Sequence, residues 1–205
     1  MGTLIIFLTV AISVVCFYNR AIFDNLSLKP YYVVKRNQWH RIVTHGFVHA
    51  DWTHLIVNML VFWSFARVVM AMFTHQFHAG MSMDPNIKFS LLYFGGIVFA
   101  SIYDIRKYKD NPYYTSIGAS GAVSAVVFTS IFYAPLSKIY LMGLLPLPAV
   151  VFGILYVGYE AYSARRGGGN VNHHAHIFGA IYGFIFPMLT GGMSQLRFFT
   201  DGLGL

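Results

Sequence analysis

Six long apolar segments, separated by short polar or glycine-rich stretches, constrain the fold of this chain more than any other feature. Each segment is near the ~20 residues that an α-helix needs to cross the hydrocarbon core of a bilayer. Because a backbone in lipid must satisfy its own hydrogen bonds, the pattern predicts an all-α membrane protein with six transmembrane helices in one compact bundle. The predicted spans are residues 3–19, 52–72, 87–103, 117–134, 147–164 and 174–191.

The composition supports a membrane protein and excludes several other classes. Hydrophobic residues make up 57% of the chain and charged residues only 10%, whereas about 25% charged is typical of soluble domains. The length of 205 residues, with no repeat or long linker, favours a single domain over residues 1–205. The net charge of +7 is scattered over short loops, which indicates contact with the lipid bilayer rather than with nucleic acid. A single cysteine, Cys16, excludes an intrachain disulfide.

The fourth apolar segment begins with a serine between two glycines, in the order Gly118-Ala119-Ser120-Gly121. The first turn of a helix has backbone N–H groups without intrahelical partners, and these favour negative charge next to the serine. The two glycines let another backbone come close. A nucleophile fits this position, although the motif alone also fits an ordinary contact between helices.

Polar residues recur at the start of the second and sixth segments. His54 and Asn58 are four residues apart and share one face of a helix. His176 precedes Gly179 and Gly183, whose G-x-x-x-G spacing predicts close packing against a neighbouring helix.

Alternate spans run in the same direction, so the polar starts of the second, fourth and sixth spans lie on one side of the membrane. Together they offer a nucleophile, a base and hydrogen-bond donors, which are the components of an acyl-transfer site. None of the seven acidic residues lies close to His176 in the sequence. Glu160 near the end of the fifth span is expected at the interface, paired with Arg165 or Arg166. We therefore expect a Ser–His dyad whose imidazole is oriented by packing.

These motifs resemble those of rhomboid-family intramembrane serine proteases of the short, six-helix bacterial type. The resemblance implies Ser120 as nucleophile and His176 as general base. It also implies that His54, Asn58 and the backbone N–H of Ser120 hold the oxyanion, and it implies no cofactor. Further matching positions lie upstream, at Trp39-His40-Arg41, His45 and His49.

The resemblance also implies how the chain meets its surroundings. The connection over residues 20–51 lies half-submerged in the bilayer and is fixed by Arg41, while Asp51 is expected to cap the second span. The fifth span or the following connection, which contains the flexible stretch Gly167-Gly168-Gly169-Asn170, controls access. The implied partners are transmembrane protein substrates cut near one end of a span. The oligomeric state is left open.

The implied location is the bacterial cytoplasmic membrane, with the site opening to the extracytoplasmic side. This orientation places ten of the 14 Lys and Arg residues outside, against the positive-inside rule. We follow the resemblance, because basic residues in a half-submerged loop do not count as translocated charge.

One position departs from the family pattern. Members often have an aromatic residue four positions after the nucleophile, where it stacks on the base, and this chain has Ser124 there. Tyr182, Phe178 or a hydrogen bond from Ser124 is expected to orient His176 instead. His45 and His49 are expected to make structural hydrogen bonds.

Two other functions remain open at this point. The nine histidines, with His173, His174 and His176 clustered, would also suit a membrane metalloenzyme or metal transporter. A catalytically silent rhomboid relative that binds transmembrane clients would share the fold.

Overall fold

The structure is a computed structural model that describes residues 1–81, 83–141, 144–167 and 171–205. It is a helical bundle with one small β-hairpin. The helices are α1 Gly2–Tyr18, α2 Arg20–Leu26, α3 Pro30–Arg36, α4 Arg41–Thr44, α5 Trp52–His78, α6 Pro85–Tyr108, α7 Ser120–Tyr133, α8 Ala149–Arg166, α9 His173–Gly191 and α10 Leu196–Leu203. Short 3₁₀ turns occupy His45–Phe47 and Met193–Gln195.

Each of the six predicted apolar segments overlaps one helix, namely α1, α5, α6, α7, α8 and α9. By length and composition, α5 and α6 can each cross a membrane. The pair formed by α9 and residues Met193–Leu203, bent by 118°, is a third candidate, whereas α1 and α7 are shorter apolar helices. The chain is therefore a helical membrane protein with two or three candidate spans among its described residues, and six spans are not confirmed.

The described residues confirm a mostly helical bundle, but the connection before α8 adds a short β-hairpin that was not predicted from the sequence. Residues Lys138–Leu141 (β1) and Leu145–Pro148 (β2) form a two-stranded antiparallel hairpin, with Lys138 opposite Pro148. Prolines in this stretch oppose helix and leave short extended segments that can pair. The glycine-rich stretch predicted to be flexible falls largely outside the described residues, because only Gly167 of it is described.

Helix α7 lies at the centre of the bundle. Every residue from Gly121 to Tyr133 is buried, and the helix packs against α5, α6, α8 and α9. The Thr129 hydroxyl donates to the Gly183 carbonyl oxygen of α9 at 2.7 Å. A helix that is apolar all round is expected to be enclosed by its neighbours, and this position fixes where its first residue, Ser120, can lie.

The connection between α1 and α5 is held together internally by a buried arginine, Arg41, the residue that the resemblance singled out. Arg41 is only 5% exposed, and its guanidinium donates to the carbonyl oxygens of Asp24 at 2.6 Å and Ser27 at 2.8 Å. Leu28 exchanges two backbone hydrogen bonds with Ser116, just before α7. The connection is thereby attached to the segment that leads into the serine motif.

The opposite end of the bundle contains a second buried cation. Lys88 of α6 is fully buried, and its Nζ donates to Gln76 Oε1 at 2.9 Å and lies 4.6 Å from the centre of the Phe73 ring. Gln76 in turn donates to Gln195 Oε1 at 2.8 Å, and the Tyr133 hydroxyl lies 3.4 Å from both amide oxygens. This network joins α5, α6, α7 and the turn that precedes α10.

Candidate active site

Ser120 occupies the first turn of α7, and its setting is determined by the backbone of the preceding glycine. Gly118 has φ +110°, in the region that only glycine adopts without strain. Its N–H donates to the His45 carbonyl oxygen at 3.0 Å. Ser120 itself is partly exposed, unlike the residues that follow it in α7. The serine hydroxyl therefore lies at the accessible end of an otherwise enclosed helix.

Close backbone contact brings the turn that carries Ser120 against the turn that carries His176. A Cβ added to Gly121 would lie 3.4 Å from the carbonyl oxygen of Ala175. A Cβ added to Gly179 would overlap the carbonyl oxygen of Gly121. One turn further along α9, a Cβ on Gly183 would overlap the carbonyl oxygen of Ala125 in the same way. The spacing of Gly179 and Gly183 thus lets α9 lie directly on α7.

The imidazole of His176 is bonded to a buried carboxylate. Its Nδ1 lies 2.9 Å from Glu160 Oε1, and the Nδ1 of His173 lies 2.6 Å from Glu160 Oε2. Glu160 is 4% exposed. Two expectations were therefore wrong: an acid does accompany His176, and Glu160 is paired with histidines rather than with Arg165 or Arg166. An ionised carboxylate only accepts hydrogen bonds, so both imidazoles donate through Nδ1–H.

An aromatic ring from α8 lies beside His176. The rings of Tyr156 and His176 have centroids 6.3 Å apart at an interplanar angle of 26°. The Tyr156 hydroxyl and the Ser124 hydroxyl share a hydrogen bond of 2.8 Å. Tyr182 and Phe178, which we expected near the imidazole, contact α6 instead. The hydrogen bond of Ser124 therefore acts on the ring that faces His176, rather than on His176 directly.

His54 and Asn58 lie on the α5 side of the serine. The His54 ring packs on Gly118, since a Cβ there would be 2.9 Å from His54 Cε1 and 3.0 Å from Nε2. Asn58 is 8% exposed and donates through Nδ2 to the His54 carbonyl oxygen at 3.0 Å. An amide has two N–H donors, and this bond uses one of them. Asp51 accepts from the His54 N–H at 2.8 Å, which confirms its role as the N-cap of α5.

His45 and His49 make structural hydrogen bonds, as expected. His45 Nδ1 lies 3.0 Å from the Arg41 carbonyl oxygen, and His49 Nδ1 lies 2.9 Å from the Ser13 hydroxyl of α1. Burial lowers the pKa of His45 to about 4, and burial together with the charge of His54 lowers the pKa of His49 to about 3. Both side chains are therefore neutral at pH 7.

The start of α9 is tied to the serine loop by a cap. Asn172 Oδ1 accepts from the Ala175 N–H at 3.1 Å, while its Nδ2 donates to Asp104 of α6 and to the Ser116 hydroxyl at 3.0 Å. One amide side chain thus sets where α9 begins relative to α6 and to the segment before α7. This position determines the height of His176 relative to Ser120.

Sequence reasoning missed Glu160 and Tyr156. The two residues are four apart on α8, so they share one face of that helix. A carboxylate inside an apolar segment is rare and usually faces the bundle interior near a functional group. That signal was present in the sequence, and it would have pointed to Glu160 as a residue of the site.

Comparison with known proteins agrees with the motifs. The chain is 28% identical over 150 residues to "RHOMBOID-like protein 12, mitochondrial" of Arabidopsis thaliana, a match that covers 71% of this chain and 45% of that protein. The chain therefore spans less than half the length of this curated relative. A family model described as the Rhomboid domain matches residues 36–192, most of the sequence. The chain thus belongs to the rhomboid family.

Proposed function

We propose that this chain is an intramembrane serine endopeptidase that hydrolyses peptide bonds in or near transmembrane segments of other proteins. The observation that carries the proposal is the glycine contact between α7 and α9. This contact places the serine turn directly against the histidine turn, since Gly121 follows Ser120 and Ala175 precedes His176. Membership in the rhomboid family supports the same activity.

In the proposed reaction, the Ser120 hydroxyl attacks the scissile carbonyl carbon and His176 accepts the hydroxyl proton through Nε2. Nδ1 of His176 is occupied by its bond to Glu160, so Nε2 is the ring nitrogen that carries the lone pair. His176 then returns the proton to the leaving amine. Water repeats the sequence on the acyl enzyme and restores the serine.

The negative charge that develops on the carbonyl oxygen is held by hydrogen-bond donors next to Ser120. We assign this role to the backbone N–H of Ser120, the Asn58 amide and the His54 ring. The first N–H groups of α7 have no partner inside the helix, because an α-helix leaves its first turn unbonded. Donors fixed in advance need no reorganisation when the charge forms.

A fluorophosphonate probe that reacts with activated serines tests the proposal in detergent. We expect the wild-type protein to be labelled and to cleave a short transmembrane substrate, and we expect Ser120→Ala and His176→Ala to do neither. Ser130→Ala is the matched control, because it removes another hydroxyl from α7 whose bond is to its own helix. Labelling or cleavage that persists in Ser120→Ala would refute the proposal. A wild-type protein that does neither would instead favour a silent relative that binds clients.

A metal site is the second candidate, and one cluster in the described part of the chain favours it. The potential ligand atoms of Glu160, His173 and His176 lie within 4.8 Å of one another. However, the bonds of 2.6 and 2.9 Å are hydrogen-bond lengths. Ligands of tetrahedral zinc, bound at about 2.0–2.1 Å, are separated by about 3.4 Å. Loss of cleavage on chelation, with Ser120→Ala fully active, would establish the metal function.

The expected membrane of residence has no support from the comparison. The relative that the chain matches is a mitochondrial protein by its name, which does not favour a bacterial cytoplasmic membrane. The proposal is therefore placed in a lipid bilayer without a named organelle. Accessibility of a cysteine introduced at Tyr113, an exposed residue just before α7, reports which side the site opens to.

A further inference from the structure

We propose that Glu160 is a positioning residue for His176 and extends the expected dyad to a Ser120–His176–Glu160 triad. This inference rests on the proposed function and adds a third group to it. The family resemblance supplies only the serine and the histidine. The role of Glu160 comes from the bond that its carboxylate makes with the ring.

The first argument is the cost of burying a carboxylate. A charged group taken out of water is expensive unless it is paired and fully hydrogen-bonded. Glu160 is 4% exposed and lies on a helix that is otherwise largely apolar. Among the seven acidic residues, all in described ranges, Glu160 and Asp104 are the two that are buried. The cost of burying Glu160 is offset by the hydrogen bonds that its two oxygens accept from imidazoles.

The second argument is the direction of the bond. Glu160 contacts Nδ1 of His176, the nitrogen that a base must keep protonated if Nε2 is to accept the serine proton. A carboxylate at Nδ1 selects that tautomer and stabilises the imidazolium that forms when the proton is transferred. It also prevents rotation of the ring about its Cβ–Cγ bond.

The third argument is the way in which α8 presents two groups to one ring. Tyr156 lies alongside the His176 ring, and Glu160 holds its edge from one turn further along the same helix. The family aromatic at the position of Ser124 is missing here, so α8 supplies both the face contact and the edge contact. Helix α8 thus orients the imidazole from outside the α7–α9 pair.

His173 completes the environment of the carboxylate. Its Nδ1–H donates to the second oxygen, Oε2, so that each carboxylate oxygen accepts from one imidazole. Holding both oxygens fixes the plane of the carboxylate, and this plane sets the direction of the bond to His176. Glu160 is therefore anchored by one histidine and acts on the other.

The test compares Glu160→Gln with Glu160→Asp in cleavage of a transmembrane substrate. A glutamine has one acceptor oxygen and an NH₂ donor, so it cannot accept from both imidazoles, and one ring is forced into the wrong tautomer. We expect kcat of Glu160→Gln to fall by about 10²–10⁴-fold. KM should stay within about threefold, since Glu160 acts through His176 rather than on the substrate. Glu160→Asp keeps the charge and should recover at least about tenfold of the lost rate.

Asp110→Asn is the control for the loss of one negative charge. It neutralises an exposed acid whose partner is Lys35, at 2.9 Å, rather than a residue of the site. We expect kcat per folded molecule to change by less than about threefold. A Glu160→Gln protein with near wild-type kcat overturns the inference. Equal losses in the Gln and Asp variants, in step with a lower midpoint of thermal unfolding, also overturn it, because that is the result of a purely structural role.

The same experiment separates this inference from the proposed function. Cleavage by Ser120→Ala would refute both the proposed protease function and the role of Glu160. Loss of cleavage in Ser120→Ala and His176→Ala, combined with full activity of Glu160→Gln, would leave the protease standing and remove only the role of Glu160.

Discussion

Both ends of the bundle contain a buried charge, and the partners of the two charges differ in their proton chemistry. At one end the Glu160 carboxylate accepts from two imidazoles. At the other end the Lys88 ammonium donates to the amide of Gln76 and faces the ring of Phe73. Imidazoles exchange protons near neutral pH, whereas amides and phenyl rings do not. Among the described contacts, the first end therefore joins its charge to groups suited to proton transfer, whereas the second end solvates its charge and joins helices.

Outside Ser120, His176 and Glu160, the largest effect on rate should come from a matched pair of amides on α5. Asn58 and Gln76 are both buried and lie about 27 Å apart along the helix. We expect Asn58→Ala to slow fluorophosphonate labelling by about 10²–10³-fold, because it removes a proposed oxyanion donor. Gln76→Ala should leave the rate per folded molecule within about twofold and lower stability by about 1–3 kcal/mol, because Lys88 loses an acceptor. If Gln76→Ala slows labelling as much as Asn58→Ala does, the two amides do not have the different roles assigned to them.

The second prediction concerns the stability of the Lys88 end. Lys88→Ala opens a cavity and removes the shorter of the two bonds to Gln76 Oε1, so we expect the free energy of unfolding to fall by about 2–4 kcal/mol. Lys88→Met keeps the volume and removes the buried charge, so it should cost less than about 1 kcal/mol or stabilise the fold. Thermal unfolding in detergent measures both. A destabilisation by Met as large as that by Ala would show that the charge itself holds this end together.

The third prediction returns to the ring beside His176. Tyr156→Ala removes the ring and should slow labelling by about tenfold, because the imidazole loses one of its positioning contacts and the energy of that aromatic contact is about 0.5–1.5 kcal/mol. Tyr156→Phe keeps the ring and should slow labelling by less than about threefold. Equal rates for the Ala and Phe variants would exclude a role for the ring.

The smallest effect is expected from the hydrogen bond behind that ring. Ser124→Ala and Tyr156→Phe each break the bond of 2.8 Å between the two hydroxyls. We expect a coupling energy of about 0.5–1.5 kcal/mol in the double-mutant cycle on unfolding, and rates within about threefold of wild type. Additive effects on stability would show that the two hydroxyls act independently.

Much of the fold was readable from apolarity alone. Six apolar segments predicted six helices because a long run without charges has no other stable form in lipid. The spacing of Gly179 and Gly183 likewise predicted a close contact between helices, because the absence of side chains at these positions can be read directly from the sequence. Whether a helix can cross a bilayer depends on its length in the folded chain. Among the described residues, only α5, α6 and the bent pair of α9 with Met193–Leu203 qualify by length and composition.

The partners of Glu160 and Tyr156 depend on which helices are neighbours, and a single sequence does not state this. Pairing Glu160 with Arg165 or Arg166 relied on proximity in the chain, yet offsets of five and six place these side chains on other faces of the helix. The real partners come from α9, across a connection that reverses the chain. Tyr156 was missed for the same reason, because a ring was sought on the helices that carry Ser120 and His176.

The shortness of the central helix has a consequence for water. Helix α7 has 14 residues and rises about 21 Å, whereas the hydrocarbon layer is about 30 Å thick. A rod of that length cannot reach both surfaces of a bilayer, and only its first residue is open to the surroundings. If the far end of α7 lay at one surface of a bilayer, Ser120 would lie below the other surface, and water would need a hydrophilic depression to reach it. For the proposed hydrolysis, the depth of that depression would set how readily water reaches the serine.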